Sequence, residues 1–349
     1  MSSKSTFGKL IIFGSGETSE TAKKVHRKVF KGEPSLQRVA VFETPAGFQP
    51  NSQLVAKEVA EHFRFSLPEF IENINVISAR KKNTSFSPDN ASVLSPVENA
   101  TFLFLGPGSP TYARAQFENS LALQLIVKRW RNGAILSLSS AAAISFGEFV
   151  LPVYEIYKAG ADLYWEEGLN VFQEVGLPIT IVTHWNNNEG GEKLDTSRCF
   201  MGKNRFEKLL KLLPKDIFIL GIDENTATIF DFQNNIFSIE GKGDAFLLRN
   251  GEEVVFENKK SFAIESIKSG KKKEVQPPSN QVLIHKPPSG EKQKIEKNQL
   301  SQQLQKLLNE REKAKEAKDF KRADEIRSIF RDQGFVVEDT QSSQEVYKK

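Results

Sequence analysis

A single cysteine, Cys199, in 349 residues excludes an internal disulfide and any cysteine-built metal site. The four histidines, His26, His62, His184 and His285, form no metal-binding pattern and leave little choice of general base. No metal or other cofactor is expected. No apolar run approaches the roughly 20 residues that a membrane-spanning helix needs. The run Leu10–Phe13 is too short for the core of a signal peptide and reads instead as a first strand. There is no Walker sequence. The GSGE that follows the first strand lacks the third glycine of a dinucleotide fingerprint, Ser19 standing in its place. These absences predict a soluble, cytoplasmic protein with no membrane partner.

Charge is unevenly placed. Residues 271–349 carry 18 Lys and Arg against 13 Asp and Glu, which, taken from chain totals of 48 and 44, leaves 30 against 31 in the first 270 residues. The basic surplus therefore belongs to the tail.

Short apolar runs recur at Lys9–Phe13, Arg38–Phe42, Ile74–Ile77, Thr101–Leu105, Ala134–Leu138, Ile179–Val182 and Ile217–Leu220. Segments with helical spacing, such as Gln53–Phe63 and Leu121–Arg131, lie between most of them. This alternation predicts an α/β fold with a mostly parallel, doubly wound sheet. From about Thr226 to Ile267, strands with tight turns predict an antiparallel edge, closing a domain over 1–267. A Pro- and Lys-rich linker is expected over 268–298. Leu300, Leu304, Leu307, Leu308 and Ala314 mark one helix face; Ala323, Ile326, Ile329 and Phe330 mark a second helix stopping at Gly334. The pair predicts a helical hairpin over 299–340, followed by a disordered tail over 341–349.

The chemistry-bearing segment is GAILSLSSAAAISFG, residues 133–147. An apolar strand, a serine and a run of small residues suit a nucleophile elbow, with Ser140 on the turn. A serine nucleophile needs a base, and His184 alone among the histidines follows a buried strand, where α/β sheets place their ligands. The base in turn needs a carboxylate. Glu155, fifteen residues after Ser140, is the first choice and Glu189 the second. An oxyanion site needs converging N–H groups. Ala141 after the nucleophile supplies one, and Gly108 in FLFLGPGSPTYA the other, because Pro107 has no N–H.

Together these pieces resemble the serine peptidase family of cyanophycinase and aspartyl dipeptidase, over roughly residues 8–262. LGPGSPTYA is similar to the family's oxyanion loop, LSSAAA to its Gly-x-Ser-Ala-Gly-Ala elbow, and THWNNNEGGEKLDTSRCFMGKNRF to its histidine loop with downstream arginines. GIDENTA resembles a strand entry of the cyanophycinase type. The resemblance implies a class I glutamine amidotransferase-like fold, Ser140 as nucleophile, His184 as base, Glu155 at the dipeptidase acid's spacing, and Arg198 with Arg205 as substrate-binding residues. Leu138 and Ala142 stand where the elbow has glycines, and Ser109 where the loop usually has asparagine. Residues 310–340 resemble the C-terminal end of cysteinyl-tRNA synthetase, without that enzyme's catalytic or zinc-binding sequence.

The expected function is a serine-type hydrolase that cleaves short acidic peptides or amides through an acyl-enzyme. The competing expectation is a catalytically inactive peptidase-fold binding protein with a docking module. Expected partners are a small peptide or amide substrate, tRNA or protein through 299–340 (Lys313, Lys315, Lys318, Lys321 and Arg322), and a second copy of the chain in a homodimer.

Overall fold

Runs such as Leu10–Phe13 and Phe102–Leu105 contain no polar residue, so a sheet made from them must be covered on both faces. The computed structural model describes residues 7–249, 251–276, 294–317, 319, 322–323, 326–327, 329–330, 335–339 and 344–348. The first compact unit spans Met1–Leu283 and the second Ile284–Lys349. Among the described residues no helix is long and apolar enough to cross a membrane.

The strands of the first unit begin with β1 (Leu10–Phe13), β2 (Gln37–Phe42), β3 (Ile71–Ile77), β4 (Phe102–Leu105) and β5 (Ile135–Ser139). A short hairpin follows, β6 (Phe149–Val150) and β7 (Glu166–Glu167), then β8 (Ile179–Val182) and β9 (Phe218–Ile222). The last five are β10 (Thr226–Asp231), β11 (Ile236–Gly241), β12 (Ala245–Arg249), β13 (Glu252–Phe256) and β14 (Ser261–Ala263). The helices are α1 (Glu20–Phe30), α2 (Ser52–Ser66), α3 (Ala91–Leu94), α4 (Pro110–Phe117), α5 (Leu121–Arg131), α6 (Ala141–Phe146), α7 (Gly202–Leu210) and α8 (Glu265–Ser269).

An eight-stranded sheet has the order β14-β11-β10-β1-β5-β4-β2-β3. Strands β1, β5, β4, β2 and β3 run parallel, and β10, β11 and β14 are antiparallel to their neighbours. Because successive strand residues point to opposite faces, Leu10, Ile12, Leu136 and Leu138 join one core with Phe117, Ile126, Trp130 and Phe146 of α4, α5 and α6. Ile11, Phe13, Val39 and Val41 join another, with Val25, Phe30, Val59 and Phe63 of α1 and α2. The fold is the expected doubly wound α/β arrangement with an antiparallel edge.

The single sheet expected from the strand pattern is, however, two. Strands β8 and β9, parallel to each other, form a second sheet of order β13-β12-β9-β8, and β12 and β13 pair there antiparallel. The chain crosses from the second sheet to the first between β9 and β10, through Asp223, Glu224 and Asn225. That short crossing positions the site.

In the second unit, Ser301 caps α9 (Gln302–Glu316), its hydroxyl accepting from the Leu304 N–H at 3.3 Å. Residues 322, 323, 326, 327, 329 and 330 are helical. Leu300, Leu304 and Leu308 pack with Ile326, Phe330, Val337 and Val346, and Leu307 packs at their margin. A three-stranded antiparallel sheet, β15 (Lys294–Ile295), β16 (Phe335–Asp339) and β17 (Gln344–Lys348), in the order β15-β17-β16, completes the unit.

The hairpin is thus a helix–sheet module, and the tail expected to be disordered supplies β17, because Val346 completes its core. The linker boundaries also change. Lys273 and Val275 exchange backbone hydrogen bonds with Ala263 and Ser261 of the first unit, and 294–298 belong to the second. Residues 277–293 of the expected linker, Lys318 and Lys321, Gly334, and residues 341–343 and 349 of the expected tail lie outside the described residues.

Candidate active site

Strand β5 is buried throughout and ends at Ser139, and α6 begins at Ala141. Between them Ser140 takes φ 49° and ψ −115°, a conformation costly for a side-chain-bearing residue. The turn forms with Leu138 and Ala142 in place of glycines for a visible reason. Leu138 points into the sheet core beside Leu136, away from the turn, and Ala142 is small enough to be fully buried at the start of α6. The Ala142 N–H donates to the Gly106 carbonyl at 3.3 Å, tying the elbow to the loop after β4.

His184 follows β8 and also has positive φ, 50°. Its backbone N–H donates to Gly14 O at 3.2 Å, at the end of β1, and its carbonyl accepts from the Asn187 and Cys199 N–H groups, each at 3.1 Å. These bonds turn the ring toward the elbow. Nε2 lies 2.9 Å from Ser140 Oγ. On the opposite side Nδ1 lies 2.8 Å from Oε1 of Glu224.

The carboxylate that meets His184 is thus Glu224, not Glu155 or Glu189 as expected. Both ring nitrogens of His184 are engaged, by Ser140 and Glu224. Glu155 instead accepts from the Thr111 hydroxyl at 2.6 Å. Glu189 lines the cavity beside Ser140 without bonding the histidine. The side-chain hydrogen bond from His184 holds the Glu224 carboxyl below its ordinary range; burial opposes that bond, and a bond from Asn187 Nδ2 at 2.9 Å reinforces it. The adjoining Asp223 is pushed up to about 6, mainly by burial. The two neighbouring carboxyls are driven apart, and the one on the imidazole stays ionised. With Nδ1–H donating to that carboxylate, Nε2 is left as the acceptor facing Ser140.

The cavity at Ser140 measures about 270 Å³ and includes Gly108, Ala141 and His184 in its wall. Gly108 has φ 153°, and a Cβ there would lie 1.8 Å from the Pro45 carbonyl oxygen. The Ser109 N–H is already committed to that oxygen at 3.0 Å, whereas Ala141 opens its helix with no preceding turn to receive its N–H. Ser109 caps α4, its hydroxyl accepting from the Tyr112 N–H at 3.2 Å. A side chain at Gly108 would have to displace the loop from Pro45.

Neither arginine expected to bind substrate lines the cavity at Ser140. Arg198 stacks on Trp185, 3.8 Å from the ring centroid, donates Nη1 to the Trp185 carbonyl at 3.2 Å and faces Glu253 at 3.8 Å. It borders a different groove. Arg205 donates to the carbonyls of Met201 and Phe200 at 2.6 and 2.7 Å, bracing the chain behind the cavity. The cation that does line the cavity is Lys158, with Tyr154, Tyr157 and Phe200. Cys199 also lines it, but burial raises its thiol to about 12, so it stays protonated and is a poor nucleophile.

Sequence reasoning missed Glu224 and Lys158. Glu224 lies inside GIDENTA, and its only local signal is a polar turn between two apolar strands.

A model of the cysteinyl-tRNA ligase anticodon binding domain matches residues 297–346. Among solved structures, the chain is similar to a peptidase from an acI-B1 Actinobacterium, with a TM-score of 0.58 and 18% identity over 74% of this chain and 98% of that one. It is also similar to a putative peptidase E protein from Listeria monocytogenes EGD-e, with a TM-score of 0.41 and 12% identity over 72% and 98%. The mixed α/β fold of this chain is thus shared with a solved peptidase, and its C-terminal unit matches an anticodon-binding domain.

Proposed function

We propose that this chain is a serine hydrolase that cleaves short peptides or small amides through Ser140, His184 and Glu224. The observation that carries this reading is the continuous relay from Ser140 Oγ to His184 Nε2 at 2.9 Å and from Nδ1 to Glu224 at 2.8 Å. In this mechanism His184 takes the Ser140 proton as Oγ attacks the carbonyl carbon. The N–H groups of Gly108 and Ala141 receive the oxyanion, and Glu224 stabilises the imidazolium. His184 then protonates the departing amine, and water, activated by the same imidazole, releases the acid from the acyl-enzyme.

The cavity's modest volume, near the lower end of ligand pockets, favours a short acyl portion. Tyr154, Tyr157 and Phe200 would cover its apolar part. Lys158 and Glu189 carry opposite charges in the wall and suit a short peptide with ionised ends or an acidic side chain. A fluorophosphonate probe should label the wild-type protein and leave Ser140→Ala unlabelled. Equal labelling of both, or labelling of neither, would reject the assignment.

A second activity is favoured by the match over residues 297–346. The C-terminal unit is read as a tRNA-docking module, with Lys313 and Lys315 on α9 among its basic residues. Full-length protein should bind tRNA with an affinity that falls steeply between about 50 and 200 mM salt, and removal of 296–349 should abolish it. Unchanged binding after that deletion would reject this role and leave the hydrolase reading intact.

A further inference from the structure

A second cavity in the first unit is larger than the one at Ser140. An open groove of about 1000 Å³ runs between α7, the segment following it and strands β9 and β12. Phe206, Leu210, Leu213, Ile217, Ile219 and Leu248 make its apolar floor. Around them stand Lys203, Lys211, Lys215 and Arg249, opposed by Glu207; Arg198 and Glu253, also on the border, face each other. Arg249 is held in place, donating Nη1 to Lys268 O at 2.9 Å with its guanidinium 4.3 Å from the Phe218 ring centroid. The border is thus basic over a floor that water wets poorly.

We infer that this groove is a docking site for an acidic amphipathic helix of a protein partner. The spread of charge selects that occupant. Lys203 and Lys211 bracket α7 eight positions apart, about 12 Å along a helix axis, with Lys215 and Arg249 on further elements. One lipid headgroup meets one such position, whereas a helix with carboxylates two turns apart meets several while its apolar stripe covers the floor. Single-stranded nucleic acid is disfavoured because the floor is mainly aliphatic and its one aromatic, Phe206, is buried, leaving no exposed ring for bases to stack on.

The test uses full-length protein and a fluorescein-labelled synthetic helix with Leu at i, i+3 and i+7 and Glu on both flanks, read by anisotropy. Saturable binding at about 50 mM salt that weakens at about 200 mM is expected. The doubly reversed Lys211→Glu/Lys215→Glu variant should bind about ten-fold more weakly or worse, while Ser140→Ala should bind like wild type. Both lysines are exposed, and circular dichroism checks that the variant is folded. No saturation at low salt, equal affinity in the reversed variant, or tighter binding of phosphatidylglycerol vesicles than of the peptide would overturn the proposal. None of these results depends on hydrolysis, so the groove and the Ser140 site stand or fall separately.

Discussion

Replacing Glu224 by Gln is expected to lower kcat/KM by about four orders of magnitude, and Ser140→Ala by on the order of 10⁶-fold. Glu155→Gln should cost less than about ten-fold. The asymmetry follows from where each carboxyl points. Glu224 accepts from His184 Nδ1 at 2.8 Å, with Asn187 Nδ2 on the same oxygen at 2.9 Å. A glutamine there either turns its amide nitrogen toward the ring, presenting a donor to Nδ1 and reversing the tautomer, or keeps its oxygen there and loses the charge that stabilises the imidazolium. Both outcomes spare the packing and damage the chemistry. At Glu155 a glutamine still offers an oxygen to the Thr111 hydroxyl, its observed partner at 2.6 Å. Steady-state kinetics on a short peptide, with the three variants compared under one condition, decides the matter. A larger loss in Glu155→Gln than in Glu224→Gln would remove Glu224 from the mechanism.

His26→Leu is expected to stabilise the protein, by more in acid than at neutral pH. His26 is fully buried on α1 among Phe13, Phe30, Phe63 and Phe102, with ring centroids 5.0–5.9 Å away. Neither ring nitrogen has a hydrogen-bond partner among the described residues. Leaving such groups dry and unpaired costs about 1–3 kcal/mol, which a leucine of similar bulk removes. Burial, with a smaller contribution from the charge of His62, lowers the His26 pKa from 6.5 to about 3. Between those values the unfolded chain takes up a proton that the folded one refuses. Stability is therefore lost as pH falls from 6.5 toward 3, at about 1.4 kcal/mol per unit. At about pH 5 the leucine variant should gain roughly 2 kcal/mol beyond its advantage above pH 7. Urea unfolding of both proteins at the two pH values measures the difference directly, since their other titrating groups cancel. An advantage independent of pH would show that His26 accepts a proton in the folded state.

Position along a strand was legible in the sequence because burial leaves a local trace. Apolar runs marked the strands of the central sheet, small residues after a serine marked the turn at Ser140, and a histidine at the end of a buried strand marked the ring that meets it. Ser140 and His184 are 44 positions apart, yet each was recognisable by what stands beside it. Gly108 was legible as a neighbour of Ser140 for the same reason, since its loop follows a buried strand.

What the sequence could not decide was which groups meet across elements. Glu224 reaches His184 because the chain steps from the second sheet to the first through three residues, and the pattern of apolar runs gave one sheet where there are two. Arg198 and Arg205 were charges in a promising loop until Trp185 and the carbonyls of Met201 and Phe200 claimed them. The tail expected to be disordered pairs as β17 with β15 and β16, and its Val346 enters a core. The sequence by itself determined the α/β class, the turn that carries Ser140 and the strand end that carries His184, since these depend on neighbours in the chain. Only the tertiary structure decided which carboxylate meets His184, which cation lines the cavity and where the basic groove lies, because those depend on contacts between residues that the chain keeps far apart.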